Sequence, residues 1–319
     1  MEFKIINFSV ITPVYNGEAF ISETIESVLS NFDPNLSFEY LIIDDGSTDN
    51  TNSIIEKYSQ NELVKFFSVK NSGEAAAVNF GLEKASGEYI LVVNADDPLF
   101  SPRLFTLAYE ILNNNKEIVV VYPDWKIVSE SNLLLETKKL SKYSFEVLVG
   151  EFQCLPGPGS IFRRSAALKV GGRSTSYRFV SDYNFWLKLS LLGDFFHVPE
   201  VLAQWRHHSD STSVNSKGYD MGVERISVIE DFVMGASIEN SLKRKARSHA
   251  YYHAALLSYF SNEVPGRKWI LKAFLIQRGW IKNADVRIVV FCLLYPFSRY
   301  LLPILNLTPF INSPIKKRR

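Results

Sequence analysis

The stretch "VVNADDPLF" (92–100) carries an apolar, strand-like run straight into Asn94, Ala95, Asp96 and Asp97. Adjacent carboxylates repel unless a cation sits beside them, and carboxylate oxygens are the donors that hard Mg2+ or Mn2+ takes. The local alternative is a helix cap, with Asp97 ahead of a first helical residue Pro98. Three further clusters have the same double reading. "DDGS" (44–47) is either a tight Asp-Gly turn or a pair of site carboxylates, Asp44 and Asp45. "SDYNFW" (181–186) is either a capped amphipathic helix, with Phe185, Trp186 and Leu189 facing the core, or a helix whose dipole keeps Asp182 ionised in its first turn. "WRHHSDSTS" (205–213) offers His207 and His208, a surface pair or a ligand.

These groups need elements to bring them together. "FSVITPVY" (8–15), "EYLIIDD" (39–45), "VKFFSV" (64–69), "EYILVVN" (88–94) and "EIVVVYPD" (117–124) read as buried strands, and the stretches between them have helical spacing of apolar residues. Strand and helix in alternation predict a mostly parallel sheet covered on both faces. Ligands of such sheets gather at the carboxyl ends of the strands, where Thr12 to Asn16, Asp44 with Asp45, and Asn94 to Asp97 fall. Residues 126–215 are less regular: a Pro/Gly loop "CLPGPGSIFRRS", a turn at Gly171-Gly172, a helix over 181–193, a short strand over 194–206 and a Ser-rich stretch. From about Tyr219 the chain reads as helices only, which puts a boundary there. No internal repeat is present.

Length and composition bound the class. The chain has 319 residues, 46% hydrophobic and 22% charged, which suits a large α/β domain with an appendage and excludes a disordered segment. Cys154 and Cys292 form neither a metal knuckle nor a disulfide framework, and "MEFKIINFSVITPVYN" lacks the pattern of a secretory leader. The expectation is a cytoplasmic protein. The formal charge of +1 hides an asymmetry. Residues 241–319 hold 15 Lys or Arg against Glu263 and Asp285, a balance of +13, and residues 1–240 hold 20 against 32, a balance of −12.

A basic tail implies an anionic partner. On a helical wheel, "RKWILKAFLIQRGWIK" (267–282) gathers Arg267, Lys268, Lys272, Arg278 and Lys282 on one side and Trp269, Ile270, Phe274, Ile276, Trp280 and Ile281 on the other, with Leu271 and Leu275 intruding on the basic face. That is the make-up of an interfacial membrane helix. The alternative is a helical pair packed on the rest of the chain or a homo-oligomer contact. The run 288–310 is interrupted by Pro296, Arg299 and Pro303, so it is no clean span, and Lys316 to Arg319 suit anionic headgroups. No nucleic-acid partner is expected.

Taken jointly, "VITPVYNGEAFISETIESVLSN", "YLIIDDGSTDNT", "NSGEAAAVNFGLEKASGEYILVVNADD", "GSIFRRSAALKVGG", "SDYNFWLKLS" and "WRHHSDSTS" resemble, in order and spacing, the family 2 glycosyltransferases of the GT-A fold over roughly residues 7–215. The resemblance implies a GT-A α/β catalytic domain over 1–218, with a nucleotide-sugar half (1–97) and an acceptor half (98–218), followed by a helical basic region over 219–319. It implies inverting transfer of a sugar from a UDP- or dTDP-sugar to a hydroxyl of a glycan or lipid-linked acceptor in cell-surface polysaccharide synthesis, on the inner face of the membrane. By the same likeness, Thr12, Pro13, Tyr15, Asp44, Asp45, Asn79, Asn94, Ala95, Asp96 and Asp97 surround the donor, with Asp45 accepting the imide N–H of uracil.

Asp96 then holds Mn2+ or Mg2+ beside the diphosphate, and Asp97 braces the turn or the donor sugar. His208, or His207 in its place, is a late metal ligand or diphosphate contact, Arg206 adds a phosphate contact, and Asp182 is the general base. Two positions depart from the family pattern. Asn94 stands at the first position of the usual Asp-x-Asp, and Ser181 stands where many relatives have Glu. A weakened transferase that serves as a glycan-binding or scaffold protein is the reading from another class. A nucleotidyltransferase would need a Gly-rich basic loop that "TPVYNGEAF" lacks, and a dinucleotide oxidoreductase a G-x-G-x-x-G after the first strand.

Overall fold

A computed structural model describes residues 6–153, 156–208, 218–260 and 266–277. The chain divides into two compact units, Met1–Leu148 with Cys154–Val214, and Val149–Gln153 with Asn215–Arg319. The first is built from β1 (Phe8–Val14), α1 (Ile21–Ser30), β2 (Phe38–Asp44), α2 (Thr51–Glu56), β3 (Val64–Ser68), α3 (Glu74–Lys84), β4 (Tyr89–Val92), α4 (Arg103–Asn114), β5 (Ile118–Ser129), β6 (Leu134–Lys138), α5 (Phe145–Gly150, running to the unit boundary), β7 (Ile161–Arg163), α6 (Arg164–Lys169), α7 (Ser181–Leu189) and β8 (Asp194–His207).

One sheet runs β3-β2-β1-β4-β7-β5-β6, with β8 also on β5. β1, β2, β3 and β4 are mutually parallel, and β5 is parallel to β8; β7 and β6 are antiparallel to their neighbours. The mostly parallel sheet read from the sequence is therefore present. All seven residues of β1 are buried, as a central strand covered on both faces requires. Phe8, Val10, Ile25, Tyr40, Tyr89, Leu91 and Phe105 share one core on that strand's flank. On the other face α3 lies close because position 81 is glycine, where a Cβ would stand 2.6 Å from Ile11 Cγ2. Register brings Val14 opposite Asp44 and Ile11 opposite Val92, so the three strand ends open at one edge.

Beyond β4 the sequence reading needs correction. β5 does not stop at Asp124. It runs to Ser129 and turns through Asn132 (φ 63°) into β6. Pro123-Asp124 reads as a strand end, but the register against β8 shifts there, and such an irregularity accommodates a proline within a sheet. β8 is 14 residues long rather than short. The three-residue β7 is too brief to leave a period. Its last residue, Arg163, is buried, and its guanidinium donates to the carbonyls of Leu112, Asn115 and Ile118, which satisfies the open end of α4.

The described part of the second unit contains α8 (Gly218–Gly235), α9 (Asn240–Phe260) and α10 (Gly266–Ile276). In α10, Ile270 and Ala273 are buried, and Trp269 stacks on Tyr219 at 5.4 Å. Trp269 and Ile270, expected on a lipid-facing side, are thus taken up by packing between helices. Leu271, Phe274 and Leu275 are the exposed apolar residues instead. No described helix is long and apolar enough to cross a membrane. Cys154, the Ser-rich stretch and the tail from Arg278 onward, with the lysines and arginines at its end, lie outside the described residues.

Candidate active site

The edge where β1 and β4 end opens into a pocket of about 750 Å³, lined by residues 13–20, Asp49, Glu74, Asn94, Ala95, Asp96, Trp205 and His208. Its floor is a stitched pair of loops. Asn16, in the left-handed region (φ 50°), accepts from the Thr48 N–H, and its own N–H donates to Ser47 Oγ. The N–H groups of Gly17 and Glu18 donate to Thr51 Oγ1 and Asp49 Oδ2. Hydrogen-bonded turns of this kind hold a loop in one conformation. Pro13, Tyr15, Asn94, Ala95, Asp96 and His208 all line the pocket, as Tyr15, 53% exposed, shows most openly.

Asp96 and His208 meet. His208 Nε2 lies 2.8 Å from Asp96 Oδ2, 112 positions away in sequence, and the imidazole packs on Phe20 at 4.9 Å. Asp97 turns the other way. It is buried, with Oδ1 accepting from the Arg206 N–H and Oδ2 from Asn94 Nδ2. Burial and the neighbouring Asp96 charge push its carboxyl well above the usual range, opposed by those two donors. Asp97 therefore braces the turn and ties β8 to it, while Asp96 is left facing the pocket. The amide of Asn94 is spent in part on Asp97.

Among the described residues no group of three or more His, Cys, Asp or Glu side chains is placed to hold a metal. The carboxylate–imidazole pair still fits a divalent cation. Neighbouring ligands on an ion bound at about 2.1 Å stand roughly 3 Å apart, close to the observed Asp96–His208 separation. Ions of this type commonly take one or two protein carboxylates and complete their shell with phosphate oxygens and water.

Other expected site residues sit elsewhere. Thr12 is fully buried, and its hydroxyl pairs with that of Tyr40 at 2.9 Å, inside the sheet and away from the lining. Asp44 is buried and orders the following turn, accepting from Ser47 N–H and Ser68 Oγ. Asp45 accepts from the Ser72 and Gly73 N–H groups, one on each oxygen at 2.8 Å, and so fixes the loop that delivers Glu74 to the pocket. Asn79 spends both ends of its amide on Arg173, donating to its carbonyl and accepting its N–H, each at 2.8 Å. A role in contacting the donor passes from Asn79 to a structural clamp.

Arg206 also changes role. Its guanidinium is 1% exposed, paired with Glu23 at 2.8 Å, bonded to Asn132 and set over the Phe20 ring. It is a buried brace between α1 and the β5–β6 turn, not a surface phosphate contact, because the adjacent apolar ring and the half-exposed Glu23 already enclose its charge. Asp182, in the first turn of α7, is open to solvent yet walled closely by protein. That crowding raises its pKa, while the Arg173 guanidinium opposes the rise and Glu74 adds to it. Arg173 and Glu74, paired at 2.6 Å, were missed in the sequence, where "GGRS" reads only as a turn.

A twisted sheet with parallel strands opening onto a pocket that holds a carboxylate–imidazole pair defines a nucleotide-binding α/β domain of the GT-A type. Residues 9–171 match the profile described as glycosyl transferase family 2, and the chain belongs to that family. Its curated relatives include an uncharacterized glycosyltransferase of Rickettsia typhi, 30% identical over 64% of this chain and 65% of the relative. Another is the chondroitin synthase of Escherichia coli, 31% identical over 65% of this chain and 30% of the relative. The chain spans about one third to two thirds of the length of the first such relatives. In fold it is similar to S. aureus TarS in complex with UDP-GlcNAc (TM-score 0.67, 18% identity, 95% of this chain and 88% of the other). It is similar also to the mannosyltransferase PcManGT from Pyrobaculum calidifontis in complex with GDP-Man and Mn2+ (TM-score 0.59, 15% identity, 97% and 85%).

Proposed function

We propose that the protein is an inverting glycosyltransferase that takes a UDP- or dTDP-sugar and transfers the sugar to a hydroxyl of a glycan or lipid-linked acceptor in the synthesis of a surface polysaccharide. The observation that carries this reading is the pocket at the carboxyl edge of β1 and β4, with Asp96 and His208 2.8 Å apart on its wall. Curated relatives named as chondroitin and hyaluronan synthases support the polysaccharide setting.

In the mechanism, Tyr15 and Pro13 flank the base of the nucleotide, and Asp45, with a second lone pair on each oxygen, receives the imide N–H of a uracil. Asp96 and His208 hold Mn2+ or Mg2+, which when bound neutralises charge on the departing diphosphate. Asp182 accepts the proton of the acceptor hydroxyl as that oxygen attacks the anomeric carbon from the face opposite the diphosphate. One displacement inverts that centre. The protein works at the inner face of a membrane, where the basic region beyond residue 240 and the exposed Leu271, Phe274 and Leu275 beside Lys268 and Lys272 meet anionic headgroups.

The test is a screen of nucleotide sugars by ligand-observed NMR with and without Mn2+, repeated on Asp182→Asn. The expected result is Mn2+-strengthened binding of a uridine or thymidine donor that persists in the variant while turnover disappears. No binding by any such donor removes the proposal. Co-sedimentation with anionic vesicles, lost on truncation after about residue 240, tests the membrane part.

A further inference from the structure

The base assigned above has a neighbour of unusual construction. Arg173 follows two glycines that both hold positive φ, Gly171 at 76° and Gly172 at 69°. Its backbone is gripped on both sides by the Asn79 amide. Its side chain is about nine-tenths buried and meets Glu74 Oε1 at 2.6 Å through one terminal nitrogen, while its Nε is enclosed without a hydrogen-bond partner. Glu74 is in turn the first residue of α3, on the pocket wall, and the loop before it is held by Asp45. Asp182 lies within electrostatic reach of both charges.

We infer that Arg173 is a positioning residue for the transfer, a fixed cation that holds Asp182 in its ionised form and couples the base to the donor pocket through Glu74. The inference rests on Asp182 being the base. A carboxylate must be ionised before it can take a proton, and crowding by protein works against ionisation. Arginine keeps its charge at any working pH, so a guanidinium beside the base offsets that cost. A buried guanidinium needs its own counter-anion, and Glu74 supplies it at the pocket. Three groups face Asp182: Arg173 from the loop after α6, Glu74 from α3 and the Tyr183 N–H from α7. The two charged ones pull its proton affinity in opposite directions, Arg173 down and Glu74 up.

That opposition gives a test that loosening of the fold does not reproduce. The Asp182 carboxyl is titrated by 13C NMR in the full-length protein, assigned by its loss in Asp182→Asn, and compared in Arg173→Met, Arg173→Lys and Glu74→Gln. The acid limb of kcat/KM is recorded in parallel with the donor found in the screen. In Arg173→Met both the titration and the limb move up by roughly one to two pH units, Arg173→Lys restores most of the difference, and in Glu74→Gln both move down. An unmoved Asp182 titration, or movement in the same direction in both charge-removing variants, overturns the inference. Should Arg173→Met fail to fold, Glu74→Gln, which alters a solvent-exposed side chain, decides the sign alone. Full turnover in Asp182→Asn sinks the base assignment instead, whatever the titrations give.

Discussion

Replacing Gly172 by alanine tests the clamp that places Arg173. A Cβ at Gly172 would stand 2.3 Å from Asn79 Oδ1, whereas one at Gly171 would meet nothing within 4 Å. Both residues hold positive φ, so each alanine carries the left-handed penalty of about 1–2 kcal/mol. Only Gly172→Ala also expels the Asn79 amide, with the loss of two hydrogen bonds worth about 0.5–1.5 kcal/mol each. The expected destabilisation is therefore about 1–2 kcal/mol for Gly171→Ala and about 2–5 kcal/mol for Gly172→Ala. Urea titrations followed by circular dichroism measure both. Adding Asn79→Ala removes the clash, so Gly172→Ala should cost less in that background than in the native chain, a positive coupling in a double-mutant cycle. Equal losses for the two glycines, or strict additivity with Asn79→Ala, would refute the clamp.

Four further outcomes are expected. Asp96→Ala and His208→Ala each weaken Mn2+ binding, read by calorimetry in the presence of UDP, by at least about tenfold, in the range known for loss of a metal-site contact. Asp182→Asn lowers turnover by about 10²–10⁴ with donor affinity retained, as loss of a general base does. Glu23→Gln leaves the Arg206 guanidinium with only Asn132 and costs about 1–2 kcal/mol, below the usual figure for a broken buried pair because Glu23 is half exposed; thermal unfolding measures it. Gly81→Ala forces α3 away from Ile11 and lowers stability by about 1–3 kcal/mol, the usual cost of overpacking.

Much of this protein is written locally. β1 reads as a buried strand because "FSVITPV" is apolar enough to be covered on both faces, and all seven of its residues are buried. The rhythm of strand and helix then fixes a mostly parallel sheet, and the carboxyl edge of that sheet is where acidic residues accumulate at 44–45 and 94–97. Those inferences need only periods of two and about 3.6 residues and the handedness of parallel crossovers. The pocket placement of Asp96 and His208 follows from family spacing, since no local rule links residues 112 positions apart.

Tertiary structure decided which polar groups work on a ligand and which on the fold. Asp96 and Asp97 are neighbours with the same chemistry, yet strand geometry turns one toward His208 and the other under the backbone of Arg206. Asn79 and Arg206 look like donor contacts in sequence and prove to be braces, because their partners, Arg173 and Glu23, lie 94 and more than 180 positions away. Arg173 itself gave no signal. A lone arginine after two glycines acquires meaning only when the sheet brings Glu74 and Asp182 to its sides, for electrostatic coupling depends on distance in space and on enclosure by protein, and neither is encoded by spacing along the chain.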